Sequence, residues 1–531
     1  MRKKSGFVAD KVQQLESKIL TIEEKFDARA EVHGKQVLDL KNALESTIDE
    51  CDTLRGRVND LECACFETKE HKMKYLDNIR QCCMELLSLN VGLLNVEPII
   101  RSVLKHIAGF SIKELPQKAT LVRLLAEMKG VTYFQLAEVV GKEENLTLHS
   151  DGTSKFGAHY YSFQISTSTT SYSLGLAEMS TGSASHVLET FQQVLSDVEL
   201  AVGPNTGAII LSKIKNTMSD RHIVEKSLNQ LLEDYRGSVL PELVKSWDQM
   251  TPDEQASMTI MNNFFCGMHL IVGIADVAAS ILVQWESSHF EGNPPVQSKF
   301  SHKSESGTVR LIRTACKALS KHGNEQCGVY QAFTSYLSSK GIKRNPLATF
   351  RGNRFNIFNL FYDAGALYYI SDLVKAFFKD VWQTPNQLLR AVNEDIRVPE
   401  YVAGCKALGL VNKIITGPLW RVLESDVSIL EMNEYFQILV THLDMWALNA
   451  ADVLSGEAIL FPDFPPSENA IWQHLTTPSE CDPLVLVILQ ILFHAFSAQI
   501  ARLVDNHLPG GKHDEPASLL QVQTASVPRP M

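Results

Sequence analysis

The sequence has little that would place the protein outside the cell or in a membrane. It opens on Met1-Arg2-Lys3-Lys4 and a charged stretch, without the apolar core of a secretory signal peptide. Its ten cysteines show no spacing typical of a disulfide framework, which fits a reducing compartment. The two most apolar stretches, 263–285 and 484–504, carry polar residues such as Asp276 and Arg502. They predict buried helices rather than membrane spans, and the protein is expected to be intracellular with no membrane partner.

Common enzyme signatures are also missing. There is no P-loop, no strand-bound G-x-G-x-x-G, no G-x-S-x-G and no H-E-x-x-H. A net charge of −11 argues against a uniformly basic nucleic-acid binder. The charge is uneven, however: residues 298–354 hold eleven Lys or Arg against two Glu, a net +9 that leaves −20 for the rest. This density predicts a face for DNA, and the alternative is internal pairing with acidic neighbours.

What the N-terminal part does contain is a heptad pattern over residues 8–65. Apolar residues recur at the a and d positions in two runs, offset by a stutter near His33-Gly34, and the intervening positions are mostly charged. The pattern predicts a self-associating coiled coil within residues 1–70, and the alternative is one long helix folded back on the body. The a and d residues are Val12, Leu15, Ile19, Ile22 and Phe26, then Val37, Leu40, Leu44, Thr47, Cys51, Leu54, Val58, Leu61 and Cys65.

Residues 71–142 are predicted to be helical, with breaks near Pro98, Pro116 and Gly130. The segment 126–136 has the small residue, glycine and apolar anchor of a helix-turn-helix. Its second helix would present Tyr133 and Gln135 but no Lys or Arg, which is a poor surface for phosphate. An ordinary helical hairpin is the alternative interpretation.

Strand patterns begin at residue 146. Apolar and polar residues alternate up to Asp151, which precedes glycine and hydroxyl residues and is expected to lie at a sheet edge beside a turn. Two further strand-like runs, 159–166 and 171–179, complete a predicted antiparallel meander. A helix over 184–201 and a short strand ending at Asp220 follow, and 263–265 is a fifth strand. Three strands, a helix and a strand, with acids on the first and fourth strands, is the layout of the RNase H-like fold.

Four short motifs in this order resemble the transposases of the hAT superfamily. They are Asp151-Gly152-Thr153-Ser154, Asp220 after 69 residues, Cys266-x-x-His269, and Arg354-Phe355-Asn356, in which Phe355 stands where that family has Trp. The resemblance covers roughly residues 145–505. It implies an α+β, mostly helical protein: an RNase H-like core over 143–285, a basic all-helical insertion over 286–465, a closing helix within 466–506 and a disordered tail over 507–531.

The resemblance also implies a chemistry. Asp151 and Asp220 would bind Mg²⁺ or Mn²⁺ for DNA strand cleavage and transfer, since hard oxygen ligands suit such ions. The third acid would be Glu480, just before the closing helix, with Glu468 and Glu424 as alternatives. Cys266, His269 and Arg354 would support the acids. Lys340, Lys343, Arg344 and Arg351 would contact DNA, and the protein would be nuclear.

Four of these site residues also have a simpler interpretation. An Asp before Gly-Thr-Ser is commonly a turn residue, and Asp220 could cap a helix together with Ser219. Cys266 and His269 could be core residues of an apolar helix, and no second Cys/His pair follows that would complete a zinc site. The function alternative is therefore a non-catalytic interaction or scaffold protein built on an inherited transposase fold.

Overall fold

A computed structural model describes most of the chain. The described residues are 2–62, 68–69, 74–110, 112, 114–155, 157–167, 170–220, 222–324, 326–348, 350, 358–383 and 386–514, with the side chains of 2–9, 59–62 and 358 left out. Arg351 and Arg354, both assigned roles above, lie outside these residues. Contacts divide the chain into two compact units, Met1–Lys129 and Gly130–Met531.

The first unit begins with a single long helix, α1, over Arg2–Glu62. It runs without a break through His33-Gly34, and all of its side chains described between 10 and 58 are exposed. This confirms the predicted helix. Because these side chains are exposed, the helix is not packed against the rest of the first unit. Helices α2, α3 and the first part of α4 then share a small core built on Ile79, Cys83, Val96, Ile100, Leu121 and Leu124. Their bounds are Asp77–Ser88, Leu93–His106 and Lys118–Val140.

Neither the possible helix-turn-helix nor the helical hairpin forms at Gly130, because α4 continues through this residue. A glycine inside a helix costs only about 1 kcal/mol relative to alanine. In the second unit α4 buries Tyr133, Leu136 and Val140 in the core beside the sheet, and this burial exceeds that cost. Pro98 likewise lies inside α3 rather than at a break.

A five-stranded mixed sheet forms the start of the second unit, as predicted. Its strands are β1 Leu146–Lys155, β2 Ala158–Ser166, β3 Ser171–Met179, β4 Ile214–Ser219 and β5 Asn262–Phe265. The spatial order is β3-β2-β1-β4-β5. The first three strands pair antiparallel, whereas β4 pairs parallel to β1 and β5 pairs parallel to β4.

The two faces of this sheet are covered differently. One face carries Leu148, Phe163 and Ile165 and packs on α5 Ala184–Val202, α6 Thr206–Lys213 and α7 Ile223–Leu243. The other face carries Met218 and Phe264, which pack on Ile429 from the helical region. The alternation of side chains along a strand produces this division.

The rest of the second unit is helical. Thr251 caps α8 in a capping box with Glu254, as the Thr-Pro-Asp-Glu sequence indicates. The largest core joins α9 and α20 to the helices between them. The remaining helices are α8 Pro252–Thr259, α9 Gly267–His289, α10 Gly307–Leu319, α11 Tyr330–Ser339, α12 Phe358–Tyr369, α13 Ser371–Asp380, α14 Gln387–Asp395, α15 Pro399–Val411, α16 Gly417–Glu424, α17 Met432–Leu448, α18 Ala451–Ser455, α19 Ala470–Thr476 and α20 Asp482–Leu503.

Helices α9 and α20 are the two that are long and apolar enough to cross a membrane, judged by length and composition among the described residues. They pack on each other: a Cβ built on Gly273 of α9 would lie 3.6 Å from Leu503 Cδ1. Ile274 of α9 and Leu492 of α20 belong to the same core. Both helices therefore occupy the position predicted for buried core helices.

Part of the tail predicted to be disordered is packed. His507 and His513 are buried, and the His513 ring lies 4.7 Å from the Phe264 ring on the sheet. The Lys512 ammonium group donates to the Met261 carbonyl at 2.9 Å. The glycine and proline content of 507–531 indicated disorder, but long-range contacts hold its first residues. Residues 515–531 lie outside the described chain.

Candidate active site

Three candidate residues lie in one row at the carboxyl ends of the parallel strands. His149 of β1 pairs with Met218 of β4, which pairs with Phe264 of β5. Asp151, Asp220 and Cys266 each follow these residues by two positions. Side chains two apart on a strand share a face, so the register aligns the three on the same face. Consistent with this row, the charges of both acids raise the pKa of the Cys266 thiol, after the larger effect of its burial.

Asp151 is exposed because β1 is longer than its neighbour on one side. The pairing of β1 with β2 continues to Lys155, whereas its pairing with β4 ends at His149. From residue 150 onward, β1 therefore extends beyond its paired stretch with β4. The expected turn beside Asp151 is displaced: the strand continues through Gly152, and the turn contains Gly157, at φ +80°.

Gly152 explains why a glycine follows this acid. Gly152 pairs with Tyr161 across the hairpin, and a Cβ at residue 152 would lie 2.8 Å from Tyr161 Cε2. Real contacts are not that short, so the buried tyrosine ring needs a residue without a side chain beneath it. The Asp-Gly pair thus reflects strand packing rather than a turn.

Asp220 immediately follows β4 and precedes α7. Its Oδ1 atom accepts a hydrogen bond from the His222 backbone amide at 2.9 Å, and His222 is the N-cap residue of α7. This oxygen is therefore used within the fold, but Asp220 does not cap α7, because the cap is the His222 side chain, which accepts from the Val224 amide. An ionised carboxylate has two oxygens and about four acceptor sites, so this contact is compatible with binding a cation as well.

Cys266 and His269 lie at the start of α9. Cys266 is the N-cap residue, and its backbone amide donates to the Ser219 carbonyl at 3.0 Å, which extends the β4–β5 pairing. Burial raises the pKa of its thiol, so the neutral form dominates near pH 7. The His269 Nδ1 atom is buried without a hydrogen-bond partner in the described structure. The predicted supporting position beside the acids is therefore geometrically available to Cys266.

A further acid near this row, Glu225, was not among the residues predicted from the sequence. Glu225, in the first turn of α7, is buried and accepts a hydrogen bond from the Ser150 hydroxyl at 2.8 Å. Burial, aided by the nearby charge of Asp151, raises the pKa of Glu225 to about 7. The signal was the spacing of Glu225 with Leu228 and Leu232, which places a carboxylate on the buried face of an amphipathic helix.

The predicted third acid, Glu480, lies elsewhere. Helix α20 has 22 residues and is therefore about 33 Å long. Its C-terminal end packs near the start of α9, where Leu503 approaches Gly273. Its N-terminal end is held by Asp482, which accepts from Lys406 of α15. Glu480 is at this far end, so it cannot share an ion with Asp151 and Asp220, because metal–oxygen distances are about 2.0–2.6 Å.

The end of α16 is closer to the acid row. Leu423 packs directly on Gly267, where an added Cβ would collide with it, and Ile429 packs on Met218 and Phe264. Between these contacts lie the exposed Glu424 and Asp426. Glu424 is one of the alternatives raised above, and Asp426 was missed because no local pattern marks it. Glu468, the other alternative, is exposed and follows Ser467, which accepts from Lys413.

The described cations of the basic stretch divide into two groups. Arg310 and Arg313 are buried and paired with Asp395 and Glu305, which is the internal pairing considered as an alternative. The other seven are exposed, and three of them are the predicted DNA contacts Lys340, Lys343 and Arg344, which cluster after α11. The exposed set is Lys299, Lys303, Lys317, Lys321, Lys340, Lys343 and Arg344.

The donor set at the row suits a hard cation only in part. Magnesium is commonly bound by one or two carboxylates and several water molecules. Asp151 and Asp220 can provide the two carboxylates. No group of three or more His, Cys, Asp or Glu side chains is arranged to hold a metal ion within the described residues. The row therefore fits a water-rich magnesium site better than a closed protein cage.

Comparison with known proteins adds no family assignment. The sequence matches no protein-family model and no curated protein.

Proposed function

We propose that this chain is a hAT-like transposase, or a protein derived from one, whose sheet is an RNase H-like core. The observation that carries the proposal is the row of Asp151, Asp220 and Cys266 at the carboxyl ends of β1, β4 and β5. The strand order β3-β2-β1-β4-β5, in which only β2 runs opposite to the other four strands, supports it. A nuclear location follows from this function.

Asp151 and Asp220 are the residues that would hold Mg²⁺ or Mn²⁺. The ion, when bound, would activate the attacking oxygen and stabilise the leaving oxygen of a DNA strand. Asp151 is exposed on the part of β1 that extends beyond its pairing with β4, where a DNA backbone can approach it. The Cys266 thiol stays neutral beside the acids and adds no further negative charge. Glu424 or Asp426 would complete the acid set from the end of α16.

DNA would be held by the exposed cations after α11. Lys340, Lys343 and Arg344 lie within five residues of one another and are all exposed. The ammonium group of Lys340 is 5.5 Å from the centroid of the Tyr336 ring, so a cation and an aromatic face are presented together. Such pairs suit a nucleic-acid strand, since phosphates take the charge and bases stack on rings.

The test is a DNA-nicking assay with Mg²⁺, comparing the wild type with Asp151→Asn and Asp220→Asn. Both variants should lose nicking while remaining folded, because the amide keeps the shape and removes the charge. Asp248→Asn, an exposed acid in the 3₁₀ turn Trp247–Gln249, is the matched control and should retain it. Equal nicking by all four proteins would show that the row is not the source of activity.

A second function, a non-catalytic interaction protein on the same fold, is favoured by one observation. One oxygen of Asp220 is already used within the fold, since it accepts a hydrogen bond from the His222 backbone amide just before α7. For such a protein the wild type would not nick DNA under any metal condition.

Glu424→Gln and Asp426→Asn, tested in an active wild type, would identify the third acid.

A further inference from the structure

Helix α1 presents an apolar stripe in two runs, 12–26 and 37–58. The a and d residues Val12, Leu15, Ile19, Ile22 and Phe26 are 47–74% exposed, and the second run, from Val37 to Val58, is similarly open. Within the described chain no residue covers this stripe, since every side chain given for residues 10–58 is exposed. A stripe of this length on one helix is a contact surface rather than a scatter of single apolar residues.

The a and d residues indicate how many helices would share the stripe. Four of the seven a residues between 12 and 58 are β-branched, and three of the five d residues are leucines: Val12, Ile19, Val37 and Val58 at a, and Leu15, Leu40 and Leu54 at d. In parallel coiled coils, β-branched residues at a with leucine at d favour two strands. The occupant with this pattern is a second copy of α1.

The flanking charges indicate the direction of the pair. In a parallel, in-register dimer each g residue meets the e residue five positions later on the partner helix. Lys11 would then meet Glu16, Lys18 would meet Glu23, and Glu50 would meet Arg55, which also contacts Asp52 in its own helix. The other g–e pairs between residues 11 and 58 each include an uncharged residue, so no like charges meet.

An antiparallel pair matches these charges less well. Full overlap of the two stripes would place g residues against g residues, so Lys11 would face Arg57 with like charge, although Lys18 would face Glu50. Cys51, at an a position, would face Leu15 at a d position. Parallel pairing instead brings Cys51 opposite the same residue of the second copy.

We propose that α1 forms a parallel, in-register, two-stranded coiled coil with a second copy of this chain. Both stutters near His33-Gly34 then lie side by side, and the two copies leave the coiled coil at the same end. This proposal does not depend on the transposase function.

Mild oxidation of the full chain followed by tryptic digestion tests the direction. Cys51 is exposed and is the one cysteine in the tryptic peptide 42–55. Parallel pairing predicts a disulfide-linked dimer of that peptide, which Cys51→Ser abolishes. Cys327, exposed and alone in peptide 322–340, is the internal control and should link far less. Equal yields at Cys51 and Cys327, or no link at Cys51, would overturn the parallel register.

Sedimentation equilibrium tests the pairing itself. The variant Lys11→Glu/Lys18→Glu turns four attractive contacts of the dimer into repulsive ones and should weaken association about tenfold or more. Adding Glu16→Lys and Glu23→Lys to the same chain restores opposite charges and should restore association. A monomeric wild type at micromolar concentration, or a charge-swapped chain that stays as weak as the double variant, would overturn the proposal.

Discussion

The carboxylates of the second unit have different neighbours in two regions, the helical region and the sheet. In the helical region, Asp395 is fully buried and accepts from Arg310 at 2.7 and 2.9 Å. Glu286 is also buried and accepts from the Thr308 amide and hydroxyl at the start of α10. At the sheet, by contrast, burial raises the pKa of Glu225 and of Cys266, and neighbouring acids raise both further: Asp151 acts on Glu225, and Asp151 and Asp220 act on Cys266.

The difference teaches what each set of acids does. A buried carboxylate that is paired and hydrogen-bonded maintains the fold, because removing one partner strands the other charge. Acids gathered beside one another disfavour each other's ionised forms and therefore cost folding free energy. A cation bound at the sheet would remove that cost, whereas one added to the helical region would find its acids already ion-paired, as Asp395 is, or hydrogen-bonded, as Glu286 is. Variants in the two regions, together with changes of pH and metal, test this contrast.

The largest expected effect is on the buried pair. Asp395→Asn should destabilise the protein by about 3–5 kcal/mol, since it leaves the buried Arg310 charge without its partner carboxylate. Urea unfolding followed by circular dichroism measures the change. Replacing both residues, as in Arg310→Met/Asp395→Leu, should recover most of the loss. If the double variant were as unstable as the single one, the pair would not be the source of the stability.

The pH dependence of stability should distinguish the sheet. The pKa of Glu225 is about 7 in the folded chain against 4.5 for the ordinary group. Its contribution is fully present below pH 4.5 and is lost as the pH rises through 7, a fall of about 3 kcal/mol at 1.4 kcal/mol per pKa unit. Glu225→Gln should remove this component of the pH profile.

The control for that profile is Glu242→Gln, an exposed position on the same helix. It should leave the slope between pH 4.5 and 7 as in the wild type. A wild-type stability that does not fall over this range would contradict the burial of an ionisable Glu225.

A smaller effect is expected from magnesium. An ion that binds the folded row stabilises it by about 1.4 kcal/mol at ten times its dissociation constant. Thermal unfolding of the wild type should therefore shift upward with Mg²⁺, and Asp151→Asn and Asp220→Asn should remove the shift. Asp248→Asn should keep it. The same shift in all variants would place the bound ion away from the acid row.

The smallest effect on stability is expected at the exposed cations. Changing Lys340, Lys343 and Arg344 together to Ala should alter the free energy of unfolding by less than about 0.5 kcal/mol per residue, as for other surface positions. DNA affinity should fall, and the salt slope should decrease by about one for each cation that no longer meets a phosphate. The matched control is Lys379→Ala, an exposed position on α13. A triple variant that binds DNA with unchanged affinity and slope would remove this face from the DNA-binding proposal.

Local patterns in the sequence predicted much of the fold. The strand β3 was expected at 171–179 and lies there, the helix α5 was expected at 184–201 and ends one residue later, and Thr251 caps α8. Each of these depends on side chains within a few residues of one another. Alternation with period two, apolar faces with period 3.6 and capping residues are local features, so they can be read without the partner elements.

The predictions that were wrong or incomplete concern positions whose structure depends on residues far away in the sequence. Gly130 continues a helix because Tyr133 and Leu136 are buried by the second unit's core, and Gly152 lies in a strand because of the Tyr161 ring. Glu480 is remote because the direction in which α20 packs on α9 is decided by long-range contacts. Glu225 was not among the predicted site residues, and its place beside the acids depends on the packing of α7 on the sheet, which buries it.

The sequence by itself therefore determined which elements form. They are the long heptad helix, the five strands of the sheet, and a helical region that is rich in cations. Only the tertiary structure decided which residues meet. Asp151 and Asp220 are 69 positions apart in the chain and become neighbours because β4 pairs parallel to β1, in a register set by ladder hydrogen bonds and by the apolar face beneath them. Pairing and helix direction are settled by such long-range packing, which no local period in a sequence encodes.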